Sequence, residues 1–267
     1  MNLNKAQCEA NYSFKYNQQQ NGLGATRANI IKLLKSLDLI GWSTHEESGK
    51  LDRKAFTRFK TGSTAIFSKR THVEAERSAV SVLIDCSGSM NEFGKIQVAE
   101  TLAIQLSRIL DKADVSFNVT GFHGRQTSIR DVARGASKEI AVGYEVPTFI
   151  PFKQWNESLQ RCAPKLGSIN EWANRSTPDY SSIAITLDEL AHRNEARKIL
   201  FLITDADCYN QAHMVHLQGV ADKLGVTIIA IGIGATSVKE CFRSSDNVIS
   251  GEGLASASFN KLLKELK

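Results

Sequence analysis

Residues 79–90 read Ala79-Val80-Ser81-Val82-Leu83-Ile84-Asp85-Cys86-Ser87-Gly88-Ser89-Met90. An aliphatic run, interrupted only by Ser81, stops at a carboxylate. Its length and β-branched character predict a strand buried on both faces. Asp85, Ser87 and Ser89 then place an oxygen on every second residue, and Gly88 lets the backbone turn. An apolar pattern at helical spacing follows: Ile96, Ala99, Leu102, Ala103, Leu106, Ile109 and Leu110. A strand thus delivers three oxygens onto a loop at its carboxyl end, where open α/β sheets place their sites.

One anionic oxygen and two hydroxyls held close together suit a hard divalent cation. The same residues also read as an Asp/Ser loop capping the next helix, and the second half of the chain decides between the two. Lys198–Ile203 is another buried strand, closed by Thr204 and Asp205. Val226–Ile231 is a third, broken by Gly232 and Gly234. Helices are expected at about 94–110, from Thr177 through Leu190, at 210–224 and at 256–266, with short strands at 115–122 (near a sheet edge) and 247–249. Alternating buried strands and helices specify an α/β fold, a doubly wound and mostly parallel sheet flanked by helices.

This domain is expected over 78–267. Residues 123–176 form an inserted elaboration above the rim, and Pro147 and Pro151 confine any strand there to an edge or loop. Residues 1–77 form a leader and a short N-terminal helical arm. In it, 1–22 are read as frayed, and Ile30, Ile31, Leu33, Leu34, Leu37 and Ile40 mark a helix over 25–40 with Thr26 as its cap. Phe56, Phe59 and Phe67 are expected to pin the arm.

The chain has 267 residues, 42% hydrophobic and 23% charged, as expected of a soluble globule with a full core. The net charge of +5 is spread rather than clustered, so nucleic acid is an unfavoured partner. Five cysteines without a Cys-x-x-Cys pair fit a reducing compartment. Neither a signal core at Met1–Lys5 nor an apolar stretch of about 20 residues is present, so a cytoplasmic protein that enters no membrane is expected.

In a parallel sheet, two strands ending in Asp put both carboxylates on one rim. Asp85, Ser87, Ser89, Thr177 and Asp205 would then surround one ion, with Asp179 and Asp207 as supporting groups behind them. Two carboxylates and three hydroxyls suit Mg²⁺, and Mn²⁺ as well. They leave a position open for an acidic group from a partner.

The Asp-x-Ser-x-Ser spacing resembles the metal-ion-dependent adhesion site (MIDAS) of von Willebrand factor type A domains. Thr-x-Asp-x-x-Ser-Ile at 177–183 resembles the second loop of that site, and Leu200–Asp205 the third. More narrowly, Gly49-Lys50-Leu51-Asp52, Phe67-Ser68-Lys69-Arg70 and Ala230-Ile231-Gly232-Ile233-Gly234 resemble the T-subunit family of aerobic cobaltochelatase. The resemblance runs from about residue 45 to the C-terminus. It implies a non-catalytic subunit whose partner is an AAA+ ATPase of the MoxR or cobaltochelatase S-subunit type. Two features depart from the pattern: that family carries a long acidic region ahead of the shared part, and Ala206-Asp207 stands where these domains show Gly. The departures suggest a compact relative, such as one from a phage or mobile element, working in a bacterium or phage-infected host.

Other functions are less well served. A serine hydrolase would need a Gly-x-Ser-x-Gly elbow, and an ATPase a Gly-x-x-x-x-Gly-Lys loop; neither occurs. His213 and His216, three apart on a helix, read as surface residues. The alternative of a nucleic-acid-binding protein scaffolded on the same domain would show as binding lost between low and moderate salt.

Overall fold

The computed structural model describes residues 4–17, 23–35, 40–46, 48–51, 67–72, 78–126, 145–205, 210–234 and 238–248. The chain divides into two compact units, residues 34–76 and residues 1–33 with 77–267.

In the larger unit, β4 (Ser78–Asp85) is buried at every position, as its aliphatic run demands. It pairs in parallel with β5 (Ser116–Gln126) on one side and β7 (Arg197–Thr204) on the other. β8 (Val226–Ile233) and β9 (Ser245–Val248) extend the parallel sheet beyond β7. β6 (Glu145–Lys153) closes the other edge, antiparallel to β5. The order is therefore β6-β5-β4-β7-β8-β9, with the quoted strand near its middle.

Helix α3 (Lys95–Lys112) carries the stripe that follows the quoted loop and buries Ile96, Ala99, Leu102, Leu106, Ile109 and Leu110. α5 (Asp179–Ala191) and α6 (Gln211–Leu224) bury Ile183, Leu187, Leu190, Met214 and Leu217 in one cluster with Ala79, Leu83, Leu200 and Leu202 of the sheet. α4 (Leu159–Leu166) and the short α7 (Val238–Cys241) complete the unit.

β5 lies beside the edge strand β6, as expected of a strand near a sheet edge; Asn118 and Thr120 make its pattern look half-exposed, yet Asn118 is buried. Part of the stretch expected as an elaboration above the rim lies in the sheet itself, as the end of β5 and the whole of β6. Pro147 and Pro151 fit there because an edge strand has one side without ladder bonds. Residues 127–144, including Ile140 and Val142, lie outside the described residues.

The expected frayed leader holds a helix, α1 (Lys5–Asn17). Its inward side is polar: Lys15 pairs with the fully buried Glu100 of α3, and Asn11 Nδ2 donates to Glu100 Oε1 at 3.2 Å and to the Gly167 carbonyl at 2.8 Å. A Cβ on Gly167 would collide with the Cys8 carbonyl, so glycine is what lets α1 seat there. α2 (Leu23–Lys35) buries Thr26 and Ile30, with Thr26 inside the helix rather than capping it.

In the smaller unit β1 (Ile40–Glu46), β2 (Lys50–Leu51) and β3 (Phe67–His72) form an antiparallel sheet in the order β1-β3-β2. Ile40 opens a strand instead of ending a helix. Two of the segments that carry the narrower resemblance pair here, Lys50 with Ser68 and Leu51 with Phe67. Phe56, Phe59 and the closing helix expected at 256–266 lie outside the described residues. Among the described residues no helix is long and apolar enough to cross a membrane.

Candidate metal centre

β4 and β7 run parallel with Ile84 opposite Ile203, so Asp85 and Thr204 emerge side by side at one rim and Asp205 follows. Asp85 is fully buried. Its Oδ1 accepts the Ser87 backbone N–H at 2.9 Å, and its Oδ2 accepts the Thr204 hydroxyl at 2.9 Å. Each carboxylate oxygen keeps lone-pair capacity beyond these bonds. The first bond folds the loop back on itself and brings Ser87 Oγ within 3.1 Å of Ser89 Oγ.

The second loop is clasped to the first through backbone. Gly88 N–H donates to the Arg175 carbonyl at 2.8 Å, Asn174 N–H to the Cys86 carbonyl at 3.0 Å, and Gly124 N–H to the Ser176 carbonyl at 2.6 Å. A Cβ on Gly124 would collide with Ser176 Oγ, so only glycine lets the loop lie this close to the end of β5. Thr177 follows directly, half-buried, before α5 begins. Asp179 opens α5, and its Oδ1 accepts the Tyr180 N–H at 2.7 Å. Asp207 lies outside the described residues.

Sequence reasoning missed two features here. Lys95 Nζ, at the start of α3, sits 2.9 Å from Asp205 Oδ2 with both side chains largely buried. A cation at a helix N-terminus opposes the helix dipole, so Asp205 is what makes this position tolerable. Phe93 and Gly94 just ahead both have positive φ, 50° and 72°, and Phe93 is 95% exposed. No periodicity signals either feature, since both depend on where one loop meets another.

Burial pushes the Asp85 carboxyl up to about 6, the hydrogen bonds from Ser87 and Thr204 oppose that rise, and the neighbouring Asp205 adds to it. Between the unfolded value of 3.8 and about 6, the metal-free folded state holds a proton that the unfolded chain releases. Asp85 therefore contributes stability that is present below the unfolded value and lost as pH rises through about 6. Denaturant titrations in chelator are expected to show this slope, and Asp85→Asn is expected to flatten it.

Among the described residues no three His, Cys, Asp or Glu side chains cluster as a metal site. A cation at this rim must take hydroxyl oxygens as well as carboxylates. The donor set fits one: in an octahedron with bonds of about 2.1 Å, adjacent oxygens lie about 3.0 Å apart, close to the Ser87–Ser89 separation.

Residues 66–266 match the family model described as the cobalamin biosynthesis protein CobT VWA domain. A comparison with curated proteins returned no match. Among solved structures, the pilus adhesin SpaC from Lactobacillus rhamnosus GG, in its open conformation, is 12% identical with a TM-score of 0.50, over 72% of this chain and 30% of that one. BatB from Bacteroides thetaiotaomicron is 11% identical with a TM-score of 0.48, over 71% of this chain and 98% of that one. Manganese-loaded TRAP protein from Plasmodium vivax is 13% identical with a TM-score of 0.45, over 72% of each chain. The likeness to the adhesin concerns the fold alone, and this chain spans about a third of the adhesin's length.

Proposed function

The chain belongs to the family of the cobalamin biosynthesis protein CobT VWA domain, and from that premise we propose that it is a non-catalytic interaction module that holds a divalent cation at the β4–β7 rim and docks an acidic group of a partner there. Asp85, Ser87, Ser89, Thr177 and Asp205 are the proposed ligands, some through water. Mg²⁺ is the proposed ion, and Mn²⁺ is able to replace it. The observation that carries the reading is the Ser87 Oγ–Ser89 Oγ distance of 3.1 Å beside a buried carboxylate at the end of β4. Two carboxylates neutralise the ion without filling its sphere, so an Asp or Glu from outside completes it. Phe93, exposed next to the serine loop, offers that partner an apolar contact.

The proposed partner is an AAA+ ATPase of the MoxR or cobaltochelatase S-subunit type, met in the cytoplasm. The Ser87→Ala, Ser89→Ala double variant should fold normally by circular dichroism and fail to retain the ATPase in a Mg²⁺-dependent pull-down. Retention equal to the wild type would place the docking surface elsewhere.

Lys95 bears on occupancy. Its ammonium already neutralises Asp205, so a divalent ion has to displace it or tolerate it. Lys95→Met is expected to tighten Mg²⁺ binding about tenfold by calorimetry, equivalent to about 1.4 kcal/mol. Weaker binding in that variant would mean that Lys95 instead holds Asp205 in position for the ion.

A further inference from the structure

The proposed cation site has a charged neighbour that its ligands do not account for. Four consecutive residues of the second loop are tied down through their backbones. The Ala173 carbonyl accepts Asn91 Nδ2–H at 3.0 Å. Asn174 N–H donates to the Cys86 carbonyl at 3.0 Å, the Arg175 carbonyl accepts Gly88 N–H at 2.8 Å, and the Ser176 carbonyl accepts Gly124 N–H at 2.6 Å. This clasp leaves residue 175 little choice of conformation, and its φ is 73°. That is the left-handed region, which glycine enters freely and arginine enters at a cost. A Cβ on Gly88 would lie 3.2 Å from the Arg175 carbonyl oxygen and 3.8 Å from its nitrogen. Arg175 is therefore seated against the turn between the two proposed serine ligands.

Folding does not call for an arginine here. The residue is exposed, and its guanidinium makes no hydrogen bond or ion pair among the described residues. It occupies a position where glycine would relieve the backbone. Strain of this kind collects at ligand-binding and active sites. The charge is felt at the rim: burial holds the His123 imidazole below its ordinary value, the Gly124 carbonyl opposes that, and Arg175 adds to it. His123 follows Phe122, the register partner of Asp85.

The contrast with Lys95 narrows the role. Lys95 is largely buried and paired with Asp205, so its charge is used within the site. Arg175 is left to act on what arrives from outside. A guanidinium presents a planar fork that matches a carboxylate. We propose that the partner brings two carboxylates to this rim, one completing the sphere of the cation and the other pairing with Arg175. This rests on the cation site proposed above and specifies what docks there: a segment with paired acids, an Asp or Glu beside a second one, rather than a single acidic side chain. The ion fixes where the first acid lands, and Arg175 selects among the segments that offer one.

The probe is the dipeptide acetyl-Asp-Glu-amide, titrated into the full ¹⁵N-labelled chain saturated with Mg²⁺, against acetyl-Asp-Gln-amide, which keeps a single acid. The wild type is expected to bind the first about fivefold more tightly, the discrimination that one exposed ion pair supplies. In Arg175→Gly the two are expected to bind alike, with the affinity of the single acid. The same variant is expected to melt at or above the wild-type temperature, because glycine suits a φ of 73°. It is also expected to bind Mg²⁺ at least as well, because a nearby cation has gone. An arginine kept for structure would instead give a lower Tm on removal. Equal or absent binding of the two dipeptides to the wild type, a full preference surviving in Arg175→Gly, or a lower Tm for that variant each overturns the proposal, while a melt that Mg²⁺ still raises leaves the cation site standing. A wild-type melt that Mg²⁺ does not move overturns both.

Discussion

Mg²⁺ at a hundredfold excess over its Kd is expected to stabilise the wild-type chain by about 2.7 kcal/mol, and Asp85→Ala to abolish that gain. Binding to the folded state alone shifts unfolding by RT ln(1 + [L]/Kd). For a chain of this size the shift corresponds to a rise in Tm of roughly 5–10 °C. Asp85 is the residue to remove because its carboxylate is fully buried and gripped at both oxygens, by Ser87 N–H and the Thr204 hydroxyl. Those two bonds shape the loop that brings the serine oxygens together, so its loss takes away a ligand and the frame of two more. A paired melt with Mg²⁺ and with chelator measures the effect. An equal Mg²⁺ shift in the Asp85→Ala protein would place the ion somewhere other than this rim.

Breaking the Lys15–Glu100 pair is expected to have the largest effect on stability, about 3–5 kcal/mol for Lys15→Ala at neutral pH. Glu100 is fully buried on α3. Burial raises its carboxyl above the ordinary value even with Lys15 and Asn11 favouring the charged form. Removing the ammonium leaves a charge in the interior with only neutral donors, the Asn11 amide and the Asn170 backbone, beside it. Lys15→Ala, Glu100→Gln is expected to recover much of the loss, because the amide needs no counter-charge. Equilibrium urea unfolding of the four proteins in this cycle gives the coupling directly. Should Lys15→Ala unfold at the wild-type midpoint, the Lys15–Glu100 pair contributes nothing to the stability of the larger unit.

How far the sequence could be read depended on the kind of signal. β4, β7 and β8 were legible because a strand buried on both faces needs an uninterrupted aliphatic run, and the chain supplies three. α3 and α6 were legible because one apolar stripe at helical spacing suffices to seat a helix. The small sheet at residues 40–72 was not: β1 and β3 are mixed in polarity, and pairing between strands this far apart leaves no local period. α1 was missed for a related reason. It docks through Lys15, Asn11 and a cysteine rather than through leucines, so its inward face looks like a solvated one.

Ser81 and Asn118 show the same limit from the other side. In the sequence they are single polar residues that make β4 less uniform and β5 look half-exposed. In the structure they are cross-strand neighbours on one face. Whether a polar residue in a strand faces water or the interior depends on what covers that face, here α5.

By itself the sequence determined the sheet-forming segments, the place where β4 ends in Asp85, and the alternation of oxygens at Asp85, Ser87 and Ser89, because backbone periodicity and residue chemistry are local properties. The tertiary structure alone decided that Asp205, on the same rim as Asp85, is already paired with Lys95, that Gly124 admits the loop leading to Thr177, and that α1 completes the larger unit. Each of these turns on the meeting of segments far apart in the chain, and such contacts are set by the packing of the whole sheet and its helices, which no short stretch encodes.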